Sequence, residues 1–458
     1  MMLKSIKFGG TSMGNAKSIE ECAKIIKAKS EKFKIIVTVS AVDDITNQLM
    51  QIISYAKKNK SRLVKSKIIY VSNIHKTILK NLLNNNQKTK LVWDQEFAPI
   101  LNKLEAISYG ASLVGDLTDK TIARICAFGE KMSSILMVYA LDKIYVKSFK
   151  VESERIIKTN SNYLKATVDF QATNLSSKKI LKPILAKGII PIVTGFIGKD
   201  ANANITLLGR GSSDYTASIL AMVLNASEIE IWTDVNGIMT ADPKIVKDSF
   251  SWNNLDMNIM SEMAYSGAKV IHPDTIALAV KKNIAVYVYN TFDRSFTGTK
   301  ITSVAQYARG IVANTCNTLI TLENTNIINR VGFIKAVTSI VAESNISIDV
   351  CATSEISFTF SIKSQDFSKK LQKSLENFAS IKIKNKVTKL CIIGNQVTSD
   401  KTLLAGIFKL CQELNVAIYT ISVSASGTNI TLIIDEDKTG VMLRSLHSAF
   451  LKKKNLVQ

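Results

Sequence analysis

Short apolar segments alternate with amphipathic helical segments through the first 300 residues of the chain. The apolar segments are of strand length and recur at 34–39, 189–194, 205–208, 228–232 and 284–289. Strands that alternate with helices predict a mostly parallel sheet with helices on both faces, an α/β fold. The segments are much shorter than the ~20 residues that a membrane-spanning helix needs, so no membrane span is expected.

Two glycine-bearing loops each follow a predicted strand and precede a predicted helix. Backbone N–H groups and the positive end of a helix suit such a turn to an anion, although any strand–turn–helix connection also favours glycine. The loop from Lys7 to Ser12 is not a Walker A loop, because its lysine precedes the glycines. The loop from Gly209 to Asp214 adds Arg210, which can grip a carboxylate with two parallel bonds, and Asp214, which can hold a nearby lysine. Together the loops indicate phosphoryl transfer to an acidic acceptor.

Two helical segments stand out in the same region. The helix after the first loop is predicted to begin at a capping box formed by Ser18 and Glu21. The segment 57–99 is rich in lysine and asparagine and is predicted to be helical, but it carries no chemistry that the residues identify.

Composition and charge exclude several classes of protein. The formal net charge is +22, but the lysines are spread along predicted helices without interleaved aromatic residues, which argues against nucleic-acid binding. Six cysteines without a CxxC pair, and only three histidines, predict neither a disulfide framework nor a zinc site. The sequence starts with a predicted strand rather than a signal peptide, so a cytoplasmic protein is expected.

Eight short segments, taken in order, resemble the signatures of aspartate kinases within the amino-acid kinase family. They lie at 7–12, 39–47, 128–130, 195–198, 208–217, 232–238, 242–244 and 266–273. The chain is therefore identified as a member of the monofunctional aspartokinases. The resemblance implies an amino-acid kinase fold, a mostly parallel sheet sandwiched by helices, followed by two ferredoxin-like βαββαβ units known as ACT domains.

The pattern of elements changes near residue 300. All five prolines precede that point, and 297–302 is predicted to be a linker. Beyond it a βαββα run occurs twice, and the segments 330–333 and 348–355 resemble paired ACT domains. The second unit lacks a closing strand, which we expect 308–312 to supply. The predicted domains are the catalytic domain at 1–300 and the tandem ACT domains at 301–458, with ACT1 at about 315–386 and ACT2 at about 387–458 plus a strand from about 304–313.

The resemblance implies transfer of phosphate from ATP to the side-chain carboxylate of L-aspartate, the first step towards lysine, threonine and methionine. The acceptor is already ionised at neutral pH, since its reference pKa is ~4, so no general base is needed. The barrier is charge repulsion, and the catalytic residues implied are Lys7 and Lys269, with Asp214 holding Lys7 in place. Mg²⁺ is expected on the β- and γ-phosphates with few protein ligands, so no metal-binding residues are assigned.

Substrate recognition requires opposite charges at the two ends of the amino acid. The resemblance assigns Arg210 to the α-carboxylate and Glu130 to the α-ammonium. Hydroxyls near the reacting carboxylate are expected from Ser40, Thr46 and Ser213, although Ser40 and Thr46 are also interpretable as helix caps. The residues expected to bind the nucleotide are Lys7, Gly9, Gly10, Ser12, Thr233, Asp234, Gly237, Lys244 and Lys269.

Three positions depart from the family pattern. Ser212 stands where a glycine is usual, and it would be strained by ~1–3 kcal/mol if that glycine has a positive φ. Met239 replaces a common aromatic residue, so ring contact with the nucleotide is expected to become softer packing. Lys244 replaces an arginine that contacts phosphate, which keeps the charge but loses the bidentate geometry.

The ACT domains imply feedback regulation and a homodimer or larger oligomer, since ACT strands typically pair edge to edge. L-Lysine is the preferred effector because Asp349 and Glu355 offer carboxylates to its ammonium groups, whereas Arg330 counts against it and leaves threonine as the alternative. The residues expected at the effector site are Ile327, Arg330, Gly332, Phe333, Ile334, Asp349, Thr353, Ser354 and Glu355.

Other functions are weighed against this one. Another kinase of the same family would share the sheet and the phosphate loops, but the ACT units and the segment 128–130 argue against it. A catalytically weak amino-acid sensor could lose its lysines, yet Lys7, Lys269 and Asp214 are all present. A bifunctional kinase–dehydrogenase would need several hundred further residues and a GxGxxG loop, and neither is expected here.

Overall fold

The computed structural model describes residues 1–209, 211–268, 271–303, 308–323 and 332–451. The chain forms two compact units. The first is Met1–Ile238 with Val270–Ser303, and the second is Met239–Lys269 with Val304–Gln458. The later division lies close to the boundary predicted near residue 300. The prediction has one boundary near residue 300, so it does not separate 239–269, which the structure groups with the second unit.

Strands and helices are numbered along the chain. The strands are β1 Leu3–Phe8, β2 Lys34–Val39, β3 Ser148–Val151, β4 Ile190–Thr194, β5 Ile197–Lys199, β6 Ile205–Leu207, β7 Glu228–Thr233, β8 Asn254–Asp256, β9 Ala285–Asn290, β10 Thr299–Thr302, β11 Arg309–Glu323, β12 Val350–Thr353, β13 Ser357–Lys363, β14 Ser380–Gly394, β15 Thr420–Val423 and β16 Asn429–Asp435. The helices are α1 Ala16–Ser30, α2 Ile45–Lys57, α3 Ser61–Leu83, α4 Asn86–Val92, α5 Ala98–Val114, α6 Asp119–Cys126, α7 Phe128–Lys143, α8 Phe170–Ala186, α9 Ser213–Leu224, α10 Met257–Ser266, α11 Pro273–Lys282, α12 Phe333–Glu343, α13 Lys369–Glu376, α14 Lys401–Glu413 and α15 Thr439–Phe450.

The first unit is built on a sheet in which the strand order is β3-β4-β2-β1-β7-β9-β10. Neighbouring strands from β3 to β9 run parallel, which confirms the predicted α/β sheet. The predicted linker at 297–302 is wrong: β10 lies there, antiparallel to β9. Ile301 of β10 is fully buried, so this short strand is part of the core.

Alternation along β1 explains how both faces of the sheet are covered. Ser5 and Lys7 face α9, where the Ser5 hydroxyl donates to the carbonyl oxygen of Ala217 at 2.8 Å. Ile6 and Phe8 face the other way, into the large apolar core that α1 covers. The fold therefore places Lys7 on the face that packs against α9.

The ends of two helices differ from what the sequence suggested. The capping box predicted at Ser18 and Glu21 is wrong, because α1 begins earlier and the side chain of Asn15 accepts from the Ser18 N–H. The segment 57–99 is helical as predicted, forming α3, α4 and a π-helical turn, Trp93–Phe97, that leads into α5. In the described part of the chain, no helix is both long and apolar enough to cross a membrane.

The second unit contains a six-stranded sheet in the order β12-β13-β11-β14-β16-β15. The long strands β11 and β14 run antiparallel side by side and are shared by the two ACT-like halves. Residues 309–314 of β11 pair with the half of β14 that β16 also pairs with, which confirms that a strand from before the first half completes the second. A register shift at 314–317 separates the two halves of β11.

The segment 239–269 is packed onto this sheet and onto α15. Ala241 and Val246 are buried in the apolar core that includes Ile392 and Leu432. Thr240 fixes the segment twice, since its carbonyl oxygen accepts from the Ile311 N–H at 2.7 Å and its hydroxyl lies 2.9 Å from Nε2 of His447. The segment is therefore held by contacts that are far apart in sequence.

Candidate active site

The candidate active site lies at the carboxyl edge of the parallel sheet in the first unit. Parallel strands end at the same edge, and open α/β sheets bind ligands there. The loops that follow β1, β2 and β7 carry the predicted site residues Gly9, Gly10, Ser12, Ser40, Asp234 and Gly237, and the loop after β4 lies beside them. Backbone bonds join these loops, with the Gly9 N–H donating to Trp232 at 3.0 Å, the Ser40 N–H to Phe8 at 3.1 Å and the Gly195 N–H to Val39 at 2.9 Å.

Lys7 and Asp214 form a buried ion pair at this edge. Nζ of Lys7 lies 2.6 Å from Oδ1 of Asp214, and both residues are buried. The other carboxylate oxygen of Asp214 accepts from the backbone N–H of His272 at 3.2 Å. Asp214 is in the first turn of α9, so the pair links this helix to the end of β1. A paired, charged lysine is thereby kept beside the glycine turn, as predicted.

The loop before α9 takes its shape from two glycines. Gly209 and Gly211 have φ angles of 99° and 79°, in the left-handed region that side chains disfavour. Ser212 has φ −81°, so the strain considered for a serine at this position does not arise. Arg210, the predicted clamp for the α-carboxylate, lies outside the described residues.

Glu130 is a buried carboxyl in the first turn of α7 and is only 4% exposed. Its Oε1 accepts from the Ala41 N–H at 3.3 Å, whereas its buried Oε2 has no hydrogen-bond partner among the described residues. Burial raises the pKa of Glu130 to about 8, against the two backbone hydrogen bonds that lower it. The side chain thus has a buried oxygen without a partner among the described residues, and its role in binding substrate stays a prediction.

The three predicted hydroxyl residues have different surroundings. Ser40 directly follows β2, and its carbonyl oxygen accepts from the hydroxyl of Ser133 at 2.6 Å. Ser213 is buried at the start of α9, and a side chain at Gly195 would overlap it, so the end of β4 approaches α9 closely only because residue 195 is glycine. Thr46 is half-buried in the first turn of α2.

Helix capping does not account for Ser40 or Thr46. The N-cap residue of α2 is Asp44, which precedes Thr46 in the chain and follows Ser40. The carboxylate of Asp44 accepts from the side chains of Asn47 and Gln48. The interpretation of these two hydroxyl residues as caps is therefore wrong, and their assignment to substrate stays a prediction.

The residues predicted to contact the nucleotide divide between the two units. In the first unit, Ser12 is fully buried with its hydroxyl 2.8 Å from that of Thr291. Thr233 ends β7, and its hydroxyl donates to the exposed carboxylate of Asp234 at 3.2 Å. Gly10 precedes a short 3-10 turn, and Gly237 is buried beside Thr299.

Two further lysines, Lys244 and Lys269, are predicted to bind phosphate. Lys244 is exposed in a turn of the second unit, where its N–H donates to the carboxylate of Asp242 at 2.9 Å. Lys269 lies outside the described residues. The structure thus brings together Lys7, Gly9, Gly10, Ser12, Ser40, Glu130, Ser213, Asp214 and Thr233 at one edge of the sheet.

The described residues that are predicted to bind the effector lie in two places in the second unit, at the start of α12 and around the edge strand β12. Gly332 has φ 95° and precedes α12, whose first residues are the buried Phe333 and the exposed Ile334. Asp349 precedes the edge strand β12 and lies 3.5 Å from Nζ of Lys389. Three exposed residues follow, Thr353, Ser354 and Glu355. Ile327 and Arg330 lie outside the described residues.

Sequence reasoning missed three residues that position the site. His272 supplies a backbone N–H to Asp214, Thr291 pairs with Ser12, and Ser133 holds the carbonyl oxygen of Ser40. Thr291 directly follows β9, just as Asp234 directly follows β7. A search for polar residues directly after each predicted strand would therefore have found Thr291.

Comparison with known proteins agrees with this architecture. The model of the Amino acid kinase family matches residues 2–290, which is more than half of the chain, and an ACT domain model matches residues 390–450. The chain belongs to the amino acid kinase family. Across 98% of its length it is 30% identical to "Aspartokinase 1, chloroplastic" of Arabidopsis thaliana, of which it covers 80%. The family assignment and the full-length similarity place it with the aspartokinases.

Two solved structures of Escherichia coli aspartokinase III extend the comparison to three dimensions. The complex with aspartate and ADP, in the R-state, is 27% identical, with a TM-score of 0.86 and coverage of 98% of this chain and 99% of that chain. The complex with lysine and aspartate, in the T-state, is 27% identical, with a TM-score of 0.79 and full coverage of both chains. Both ACT-like halves and the amino acid kinase unit are thus matched.

Proposed function

We propose that this member of the amino acid kinase family phosphorylates the side-chain carboxylate of L-aspartate with ATP, giving 4-phospho-L-aspartate and ADP. The observation that carries the proposal is the buried Lys7–Asp214 pair at the carboxyl edge of the sheet, on the same edge as the buried carboxyl of Glu130. Support comes from the E. coli relative that binds aspartate and ADP and matches along nearly the whole chain.

Charge explains how these residues would act. Lys7, held by Asp214, offers positive charge to the phosphoryl group as it moves between two anions, which stabilises the transition state more than the bound substrates. Glu130 would receive the α-ammonium of aspartate on its unpartnered oxygen and give up its proton as the ammonium binds. Arg210 and Lys269 are proposed, from the resemblance alone, for the α-carboxylate and the γ-phosphate.

Mg²⁺ is proposed to enter with ATP, bound to phosphate oxygens. Among the residues that the structure describes, there is no group of three or more histidine, cysteine, aspartate or glutamate side chains arranged to hold a metal ion. The ion would neutralise phosphate charge, while the protein supplies the lysines.

Regulation through the second unit is part of the proposal. The E. coli relative crystallised in a T-state with lysine, so L-lysine is proposed as the feedback effector at Asp349 and Glu355, in a cytoplasmic enzyme of lysine, threonine and methionine synthesis. The edge strand β12 beside this site presents backbone groups that a second copy would cover, which favours a homodimer.

The proposed activity is tested by mixing the purified chain with ATP, Mg²⁺ and L-aspartate and measuring ADP release. Hydroxylamine in the same mixture traps an acyl phosphate as a hydroxamate, which distinguishes carboxylate phosphorylation from simple ATP hydrolysis. ADP and hydroxamate are expected in equal amounts with L-aspartate and at much lower rates with D-aspartate or L-glutamate. Faster reaction with L-glutamate would assign the chain to another activity of its family, and no hydroxamate with either acid would reject the proposal.

A further inference from the structure

Lys389 is a buried lysine in the centre of the six-stranded sheet. It lies on β14, between β11 and β16, opposite Asn314 and Ile433, and it is only 6% exposed. Its ammonium lies 3.5 Å from Oδ1 of Asp349. A buried ammonium requires a partner of opposite charge, and here the partner is a carboxylate that the proposed function assigns to an amino-acid effector.

Asp349 retains capacity for a second cation. Its backbone N–H is fixed by the carbonyl oxygen of Ser361 at 2.9 Å, at the start of the edge strand. Its Oδ2 is buried and has no hydrogen-bond partner among the described residues. One oxygen therefore faces Lys389, and the other is a buried oxygen that lacks a polar partner among the described residues.

The same face of β14 contacts α10. Alternation puts Lys389 and Cys391 on one face of the strand. The thiol of Cys391 lies near Lys389, Asp349 and the side chain of Ser266, the last residue of α10, and burial raises its pKa. Lys269, proposed to act on the γ-phosphate, follows α10 closely in the sequence.

The packing of α10 on the neighbouring strand β11 is close. A side chain at Gly310 would approach Cε of Met263 to 2.9 Å, and one at Gly267 would approach Nδ2 of Asn314 to 2.9 Å. Interfaces packed this closely respond to a displaced charge by shifting as a unit rather than by deforming gradually. Asp349, Lys389 and the end of α10 thus form one continuous cluster.

We propose that Lys389 is a positioning residue of the effector response, whose ammonium holds Asp349 while no effector is bound and competes with the effector's ammonium for that carboxylate. This proposal rests on the proposed effector site. Binding of an amino-acid ammonium at Oδ2 places a second cation beside Lys389, which weakens the ion pair. Lys389 then shifts beside the end of α10, so effector binding and the position of this helix are linked.

The test compares L-lysine binding by calorimetry in wild type, Lys389→Met and Lys363→Met, with kinase activity measured in the same samples. Lys363 is the matched control, a half-buried lysine on β13 whose ammonium donates to the Asn314 side chain at 2.9 Å and, within the described ranges, is paired with no carboxylate. Removing the competitor should tighten L-lysine binding by about fivefold or more, the lower end of ordinary coupling. The control should bind as wild type does.

A second variant makes an opposite prediction and guards against poor folding of the first. In Lys389→Arg the guanidinium can grip both oxygens of Asp349, so L-lysine should bind about fivefold more weakly. Unchanged or weaker binding in Lys389→Met, or unchanged binding in Lys389→Arg, would overturn the proposal. If the wild type binds neither L-lysine nor L-threonine, both this proposal and the proposed effector site are wrong. The kinase activity measured in the same samples tests the proposed function independently.

Discussion

Glu130 illustrates how a single binding residue lowers the stability of the fold. Its pKa is raised to about 8 by burial, from 4.5, so the folded chain holds a proton that the unfolded chain releases. Between pH 4.5 and pH 8 the folded state binds more protons, and stability therefore falls as pH rises. One pKa unit corresponds to about 1.4 kcal/mol, which sets an upper limit of about 5 kcal/mol for this residue.

Glu130→Gln should remove that dependence, because the amide has a similar shape and does not ionise. Thermal unfolding at pH 6 and pH 8.5 is expected to show a smaller loss of Tm in the variant than in wild type. The same substitution should raise KM for aspartate well above any change in KM for ATP. Equal losses of Tm in the two proteins would show that the carboxyl is not protonated in the folded state.

His75 should make the helical part of the first unit sensitive to acid. It is fully buried on α3, its Nε2 has no hydrogen-bond partner among the described residues, and burial lowers its pKa from 6.5 to about 4. Between pH 6.5 and about pH 4 the unfolded chain binds a proton at His75 and the folded chain does not, so the stability of the fold falls as the pH drops. His75→Leu should lose less Tm than wild type between pH 7.5 and pH 5, and an identical loss would contradict this account.

Single residues also show where sequence reasoning succeeds and where it stops. Lys7, Asp214 and Glu130 were predicted because glycine loops and a resemblance to a family point to them, and the structure places all three in buried positions, with Lys7 and Asp214 paired. The cap at Ser18 was wrong because Asn15, three residues earlier, caps equally well, and both satisfy the same local pattern. Local signals of equal strength do not distinguish such alternatives.

At the scale of helices and strands, the contact between α10 and β11 can be tested by a single substitution. A side chain at Gly310 would meet Met263 and the carbonyl oxygen of Thr240, so Gly310→Val should displace both α10 and the segment that carries Lys244. If these elements serve the phosphates, KM for ATP should rise by about tenfold or more, well beyond any rise in KM for aspartate.

Gly110→Ala is the matched control for that substitution. Apart from the neighbouring backbone of its own helix, no described atom lies within 4 Å of the added Cβ, and the residue is inside α5. Alanine there should stabilise the fold by about 0.5–1 kcal/mol and leave both KM values unchanged. Equal effects of Gly310→Val on the two substrates would remove the link between α10 and the nucleotide.

Two segments depend on partners that the sequence did not reveal. The segment 297–302 was interpreted as a linker because the composition shifts near residue 300, yet Thr299–Thr302 is a strand that pairs with β9. The segment 239–269 falls within the predicted catalytic domain at 1–300, and its apolar residues Ala241 and Val246 are buried with Ile392 and Leu432, far along the chain. Periodicity predicts that a segment is buried, but not which partner buries it.

For the whole molecule, the proposed dimer provides a prediction. Ile334 is a 50% exposed apolar residue on α12 and one of the predicted effector-site residues, and Ile69 is a similarly exposed isoleucine on α3. If the ACT-like halves pair across a dimer, Ile334→Lys should shift the mass measured by light scattering towards the monomer at micromolar concentration, and Ile69→Lys should not. A monomeric wild type, or equal effects of the two changes, would contradict the proposed interface.

The most direct test of the account is the turnover of Lys7→Met beside that of Lys4→Met. Both lysines are buried on β1 and ion-paired, Lys7 with Asp214 and Lys4 with Glu228 and Glu230, so the second variant controls for loss of a buried pair from the same strand. Lys7→Met should lower kcat for hydroxamate formation by about a thousandfold or more and change ATP affinity by less than tenfold, since its charge acts on the transferring group. Folded Lys4→Met should keep most of its activity. A folded Lys7→Met enzyme with kcat within tenfold of wild type would contradict the central claim.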